Sequence, residues 1–280
     1  MTKSLYQRLP DTSCLTKHIL FCCIMLFYMT SPAFGGSENI KIYFYSSETN
    51  INNFKPLKME FDGYLSKFGD YEFQPFDDRN VFEQHIKGRE ACLLLLSSWH
   101  YRNIYTRYAF APYLVGVRNG KNYERRILVA GSKIATLKSV KRGPVASASN
   151  EIHTKSVLRE LFADKTTADS VRVLKVPKDV DALMSVGFGM SKSALITENA
   201  LNNLKMMDPV LHSKLKPLAK GNDSLLLVLA VPESFAGRAE RIVKIIKNMP
   251  NDPAGMNIIK MLDLDGWKRI EPSDKSKLEG

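Results

Sequence analysis

Residues 91–98 read "ACLLLLSS": four consecutive leucines behind Ala91 and Cys92, closed by a pair of serines. A strand with one wet face alternates apolar and polar residues. A run without alternation suits a strand covered on both faces, as in a parallel sheet. Parallel strands need long, usually helical, crossovers, and the residues before this run supply them. "IKIYFYSS" (40–47) is rich in β-formers and ends in a polar turn. "PLKMEFDGYLSKFG" (56–69) follows, with Leu57, Phe61, Tyr64, Leu65 and Phe68 at helical spacing behind Pro56. "YEFQPF" (71–76) reads as a second strand, and Val81, Phe82, His85 and Ile86 mark a second helix ending near Gly88. Strand–helix–strand–helix–strand predicts an α/β domain with right-handed crossovers.

From residue 113 the texture changes. "YLVGVRNGKNYERRILVAG" (113–131) holds two β-like runs around "RNGKN", suited either to a hairpin or to a crossing between lobes. In "GPVASASNEIHTKSVLRELF" (143–162) small and hydroxyl residues precede a helix with Val157, Leu158, Leu161 and Phe162 on one face. "SVRVLKV" (170–176) and "KSALIT" (192–197) read as strands around a short helix at "DVDALMSVGF" (179–188). "LKPLAKGND" (215–223) looks like a linker, "SLLLVLAVP" (224–232) like a buried strand. "AERIVKIIKNM" (239–249) carries Ile242, Ile245, Ile246 and Met249 on one stripe. The layout predicts two α/β lobes: lobe 1 from 38–122 with 224–270, and lobe 2 from 127–220. Residues 271–280 are expected as a flexible tail. A chain that crosses twice between lobes creates a cleft that closes by hinge bending.

The N-terminus speaks to compartment. Lys3, Arg8 and Lys17 precede "HILFCCIMLFYMT", and "SPAFGGS" follows. A positive n-region, a short apolar core and small residues around Ala33 and Gly35 predict a secretory signal peptide over 1–35 and a periplasmic protein. The apolar run is short beside the roughly 20 residues of a spanning helix; an uncleaved membrane anchor is the alternative. Phe21 before Cys22 argues against a lipoprotein site. Cleavage would leave Cys92 as the lone thiol, excluding an intramolecular disulfide, and its apolar setting suits a buried structural side chain. The signal carries three Lys/Arg against Asp11, so its removal lowers the formal charge from +11 to +9. The basic residues are scattered, which gives no stripe for nucleic acid.

In an open α/β sheet ligands gather beyond the carboxyl ends of strands, where helices begin. Three such ends carry suitable groups: Tyr45, Ser46 and Ser47; Ser97, Ser98, Trp99 and Tyr101; Ser147, Ser149 and Asn150. Hydroxyls and helix N-terminal N–H groups suit an anionic ligand, and the aromatic rings suit its organic part. Each serine is also an ordinary helix cap. His100 and His153 beside these loops read as partly exposed histidines with ordinary hydrogen bonds. His85 and His212 lack partners at metal-ligand spacing. Nothing suggests a cofactor. An enzyme is disfavoured: no nucleophile elbow, Walker loop or dinucleotide glycine motif is present, and Glu48 in "SSETN" is the one carboxylate of interest.

The order of these pieces resembles the periplasmic substrate-binding proteins of phosphonate/phosphate/phosphite ABC transporters. "NNFKPLKMEFDGYLSKFG" (52–69), "LLLLSSWHY" (93–101), "SKIATLKSVKRGPVASASN" (132–150), "DALMSVGFGMSKSALIT" (181–197) and "LLLVLAVPES" (225–234) are similar to that family's segments in the same order. The resemblance implies a two-lobed type 2 periplasmic-binding fold, an oxyanion-like ligand in the cleft, a membrane permease as partner, and a monomer. An extracytoplasmic sensor of the same fold, signalling to a membrane receptor, is the alternative. Departures accompany the likeness. The family's Ser-Thr-Ser-Gly turn is Ser147-Ala148-Ser149-Asn150 here, and a Gly-Pro is Ser97-Ser98. A His-Asp pair reduces to Val180-Asp181, and an acidic position is Ser193. Asp181 and Ser193 are carried over as ligand-binding positions on the resemblance alone. The lost carboxylates speak against an aminoalkylphosphonate.

Overall fold

The computed structural model describes residues 39–48, 54–133, 136–140 and 143–279. The expected signal peptide lies outside them. In chain order the first part reads β1 (Ile40–Tyr45), α1 (Phe54–Leu65), β2 (Tyr71–Pro75), α2 (Arg79–Ile86), β3 (Cys92–Leu96), α3 (Ser98–Tyr108) and β4 (Phe110–Val117). The middle part follows as β5 (Tyr123–Gly131), the one-turn α4 (Leu137–Val140), β6 (Val145–Ser147), α5 (Glu151–Phe162) and α6 (Lys165–Ser170). It continues with β7 (Val173–Lys175), α7 (Asp179–Gly187), β8 (Ser193–Thr197), α8 (Glu198–Met207), α9 (Pro209–Ser213) and β9 (Leu215–Leu225). The chain closes with β10 (Val228–Pro232), α10 (Ala236–Lys247), α11 (Pro253–Met261), β11 (Gly266–Arg269) and α12 (Pro272–Glu279).

The strands form two sheets, ordered β11-β4-β10-β3-β1-β2 and β7-β6-β8-β5-β9. In the first, β2, β1 and β3 are parallel, while β10 and β4 continue the sheet antiparallel. The second repeats the scheme: β7, β6 and β8 are parallel, then β5 and β9 run antiparallel. The two-lobed α/β architecture expected from the sequence is therefore present.

The leucine run of β3 explains the first lobe. Successive strand side chains point to opposite faces, so Leu93 and Leu95 enter one core with Ile42, Phe44, Phe61 and Ile242. Cys92, Leu94 and Leu96 enter another with Tyr43, Phe82 and Ile104. Both faces are covered, one by α1, α10 and α11, the other by α2 and α3. Phe61 stacks on Phe73 at 4.0 Å between ring centroids, locking α1 onto β2. Burial pushes the Cys92 thiol up to about 12, which makes it the inert apolar side chain anticipated. In the second lobe Ile127, Val129 and Ile196 face one core and Leu128 and Leu195 the other.

"RNGKN" is a crossing, since β4 and β5 belong to different sheets. Its chain reversal is held by paired hydrogen bonds between Arg118 and Lys121, with Asn119 and Gly120 at positive φ. The return crossing, β9 to β10, runs beside it: Leu226 N–H donates to Asn122 O and Gly116 N–H to Leu227 O.

Two expectations need correction. "LKPLAKGND" is no linker; it forms most of β9, paired along β5 from Tyr123↔Leu225 to Gly131↔Leu215. As an edge strand it has one side open to solvent, so it tolerates Lys, Pro and Gly that a central strand excludes. Residues 272–279 are a helix rather than a loose tail. Asp274 accepts from Asn122 Nδ2 at 2.8 Å, and Leu278 is buried against the first lobe. One apolar residue and one paired carboxylate anchor a segment whose composition is otherwise that of a solvated tail.

Candidate functional site

β3 and β6 each deliver a helix to the lobe interface at their carboxyl ends. Ser97 caps α3 by accepting from His100 N–H at 3.3 Å. Asn150 caps α5 by accepting from His153 N–H at 2.8 Å. Both are the cap residue types that leave a side-chain oxygen over the first turn.

These caps serve the interface as well. Asn150 Nδ2 donates to Tyr45 Oη at 2.9 Å, and Asn150 N–H to Ser47 O at 3.0 Å, both from lobe 2 to lobe 1. Ser149 Oγ donates to Glu48 O at 3.2 Å and Arg126 Nη2 to the same carbonyl at 3.1 Å. Trp99 Nε1 donates to Ser156 Oγ at 3.1 Å. The lobes are closed on each other by direct contacts.

The sequence-derived site residues fall into three groups. Tyr45, Ser47, Ser97, Ser98, Ser147, Ser149 and Asn150 do converge on the interface, but their polar atoms engage protein. Ser47 Oγ and Ser97 Oγ share a hydrogen bond of 2.9 Å. Ser98 Oγ donates to Leu225 O at 2.5 Å. Ser147 Oγ accepts from Ser149 N–H and Thr154 Oγ1. Ser46 is half-buried beside them, its Oγ accepting from Glu48 N–H at 3.4 Å. Of the twelve, Trp99 lines the cavity beside them.

Tyr101, Asp181 and Ser193 lie elsewhere. Tyr101 is fully buried in lobe 1, donating to Phe110 O at 2.7 Å, because its helical position turns it toward the core. Asp181 accepts from Lys178 N–H at 3.0 Å and so satisfies a backbone donor at the start of α7. Ser193 begins β8, about 13 Å from the strand's carboxyl end at the rise of a strand.

The open volume is a cavity of about 500 Å³ beside the serines, between the flanks of α3 and α5. Glu48, Trp99, Arg126, His153 and Ser156 form its inner end. Glu160, β9 residues 221–224, Leu278 and Glu279 form its outer wall. Trp99 packs edge-on to His153 at 5.2 Å, and the Arg79 guanidinium lies 5.4 Å from the indole.

Three inner groups are each more than nine-tenths buried: Glu48 at 8% exposure, Arg126 at 5% and His153 at 3%. Glu48 Oε1, Arg126 Nη1 and His153 Nδ1 lack a hydrogen-bond partner. Burial, then the like charge of Glu124, push the Glu48 carboxyl up to about 7 against the pull of Arg126. Burial, then Arg126, hold His153 well below the ordinary histidine value, so it is neutral. His100, also buried, is lowered to about 4 by burial although its Nε2 lies 2.9 Å from Glu83. Neither histidine is the partly exposed one expected. No cluster of metal-binding side chains occurs among the described residues, and no helix of the described residues is long and apolar enough to cross a membrane.

Arg126 was invisible as a site residue in the sequence. It sits in "YERRILVAG", a strand pattern, and only pairing of β5 between β8 and β9 aims it at the interface. Glu124, two residues earlier on the same face, accompanies it at 3.3 Å. Alternation within a strand was the available signal.

A family model described as "ABC transporter, phosphonate, periplasmic substrate-binding protein" matches residues 45–275. No curated protein sequence matches the chain. Among solved structures, a Xanthomonas citri protein bound to ATP superposes with a TM-score of 0.62 at 14% identity, over 86% of this chain and 94% of its own. A binding protein component of an ABC phosphonate transporter from Pseudomonas aeruginosa gives 0.61 at 13% identity, over 84% and 82%. A Prochlorococcus marinus protein in complex with methylphosphonate gives 0.58 at 10% identity, over 84% and 94%. At these identities the likeness is one of fold, two lobes about a cleft. The family match, which spans most of the chain, shows the lineage: the chain belongs to the periplasmic substrate-binding proteins of phosphonate ABC transporters.

Proposed function

We propose that this protein captures a small phosphonate- or phosphate-like oxyanion in the interlobe cavity and presents it to a membrane permease of an ABC importer. The observation that carries the reading is the inner end of the cavity, lined by Glu48, Arg126 and His153, each of which keeps one buried side-chain polar atom without a hydrogen bond from the protein. Buried polar groups are nearly always satisfied, and a cluster of exceptions in a cleft points to a ligand. Arg126 supplies positive charge and directional N–H donors. Trp99 offers an apolar wall to an organic substituent.

The two side-by-side crossings at Asn122 and Leu226 suit a hinge that opens the lobes and breaks the contacts of Asn150, Ser149 and Trp99. The N-terminal 35 residues would direct export, and the mature chain would act as a monomeric binder rather than an enzyme. Ligand should stabilise the folded state by mass action. Thermal shift with methylphosphonate, phosphate and phosphite at millimolar concentration is the test. A rise in melting temperature with at least one supports the reading; no shift with any of them ends it.

A further inference from the structure

We propose that the end of lobe 2 farthest from lobe 1 is a membrane-contact surface, which seats an anionic lipid bilayer against exposed methionine, phenylalanine and lysine side chains. The inference is independent of what the cavity holds.

Nine large apolar side chains stand exposed among the described residues, and six of them lie at this one end: Met184, Phe188, Met190, Met206, Met207 and Val210. Phe188, Met206 and Met207 are 75%, 77% and 73% exposed. The fold gathers them. β8 meets β5 as Arg126↔Thr197 near the interlobe contacts and as Ala130↔Ser193 at the opposite end. α7 starts beside Thr197, whose N–H donates to Asp179 Oδ2 at 2.8 Å, and runs away from lobe 1 to finish at Gly187. Phe188 and Met190 follow, with Gly189 turning the chain between them at φ +75°. α8 leaves the same Thr197 and ends at Met207. Leu211 of α9 then packs so close to Gly187 that a Cβ there would meet it at 2.4 Å. The end of α7 and the corner between α8 and α9 therefore share one pole.

Single exposed apolar residues are ordinary, but a group of them marks a contact surface. Charge decides the partner. Lys192, Lys205, Lys214 and Lys216 are exposed in the same segments. Exposed Lys133 joins them through its neighbour Ser132, whose N–H donates to Lys214 O at 2.9 Å. Among the described residues no ion pair engages these five lysines. The nearby carboxylates are held elsewhere. Asp208 accepts from Leu211 N–H at 2.8 Å as the α9 cap, and Glu198, at the other end of α8, pairs with Lys220 at 2.6 Å.

Unpaired lysines around apolar side chains match an anionic bilayer. Headgroup charge attracts the ammonium groups, and the apolar tips enter the boundary of the acyl chains. Lysine stems reach from one layer to the other. Flexible methionines suit a fluid apolar layer that has no fixed shape. The pole lies away from the contacts of Asn150, Ser149 and Trp99, so docking leaves the lobes free to open.

The experiment is cosedimentation of the mature chain, which carries every strand and helix of both lobes. One set of vesicles holds phosphatidylglycerol with phosphatidylcholine, the other phosphatidylcholine alone. Partitioning at low salt should be about tenfold or more stronger on the anionic vesicles. It should fall toward the neutral value in molar salt, where the Debye length is about 3 Å. The double variant Phe188→Ser/Met207→Ser, checked for folding by its melting curve, should partition about tenfold or more weakly. Met59→Ser, at an exposed position on α1 of lobe 1, should bind as the wild type does. No binding to anionic vesicles, equal binding to both compositions, or wild-type binding by the double variant overturns the proposal. Equal weakening by Met59→Ser makes the adsorption unspecific and overturns it as well. Dimers in light scattering that the double variant abolishes, without vesicle binding by either protein, assign the face to a second copy and equally overturn it.

Discussion

Asn150 Nδ2 donates to Tyr45 Oη at 2.9 Å, joining the helix cap of one lobe to the last residue of the first strand of the other. Both groups are largely withdrawn from water, so the bond is a latch on the closed state. Tyr45→Phe keeps the ring packed against Phe82 and His100 and removes only the hydroxyl. The expected loss is about 1 kcal/mol, roughly a fivefold shift from closed to open. Small-angle scattering should show a larger radius of gyration without ligand, and ligand affinity should fall by a similar factor. Unchanged scattering and affinity would remove the latch.

The sequence marks Ser97 and Ser193 alike as ligand-binding positions, and the fold gives them opposite prospects. Ser97→Ala removes the α3 cap and strands the Ser47 hydroxyl in a buried site. A cost of about 1–2 kcal/mol in urea unfolding is expected. Ser193 Oγ is buried without a hydrogen bond, so Ser193→Ala should be neutral or stabilising and leave ligand affinity unaltered. A binding defect in Ser193→Ala would contradict its placement at the far end of β8.

Glu48 also predicts a pH dependence. Its folded pKa, raised to about 7 chiefly by burial, exceeds the unfolded carboxylate value. Its contribution to stability is then fully present below the ordinary carboxylate range and lost as pH rises through about 7. Glu48→Gln abolishes that slope. The melting temperature of the variant minus that of the wild type should increase between about pH 5 and about pH 8. His100, lowered to about 4 by burial, works in the opposite sense, destabilising the fold as pH falls. It is common to both proteins and cancels in the difference. A flat difference curve would contradict the burial of an ionisable carboxylate.

The C-terminal helix α12 closes the outer cavity wall through Leu278 and Glu279. Leu278 is 1% exposed. Leu278→Ala should cost about 2–3 kcal/mol locally, which is enough to undock a helix of eight residues. Faster amide exchange confined to 272–279, with weaker ligand binding, is the expected result. Exchange rates equal to the wild type's would return the segment to the status of a tail.

Much of the fold was legible because burial imposes periodicity. The leucines of β3 and the stripe of α10 could be read without knowing their neighbours, since two covered faces or one buried stripe leave only one pattern of apolar residues. β9 and α12 were illegible for the converse reason. An edge strand keeps polar residues, and a short helix anchored by Leu278 and Asp274 has almost no pattern of its own.

The candidate site divides along the same line. The sequence determined that Ser97, Ser147, Ser149 and Asn150 stand at strand ends where helices begin, because strand length and helix capping are local properties. Tertiary structure alone decided what those groups face. Ser97 is turned onto Ser47 within lobe 1, the closed lobes bring Ser149 and Asn150 onto Glu48, Tyr45 and Ser47, and a neighbouring space bounded by Arg126, His153 and Trp99 is left open. Cavity lining is set by the packing of residues distant in the chain, Glu48 against Arg126 and Trp99 against Ser156. No local pattern encodes such contacts, which is why the turn at 147–150 was foreseen and its partners were not.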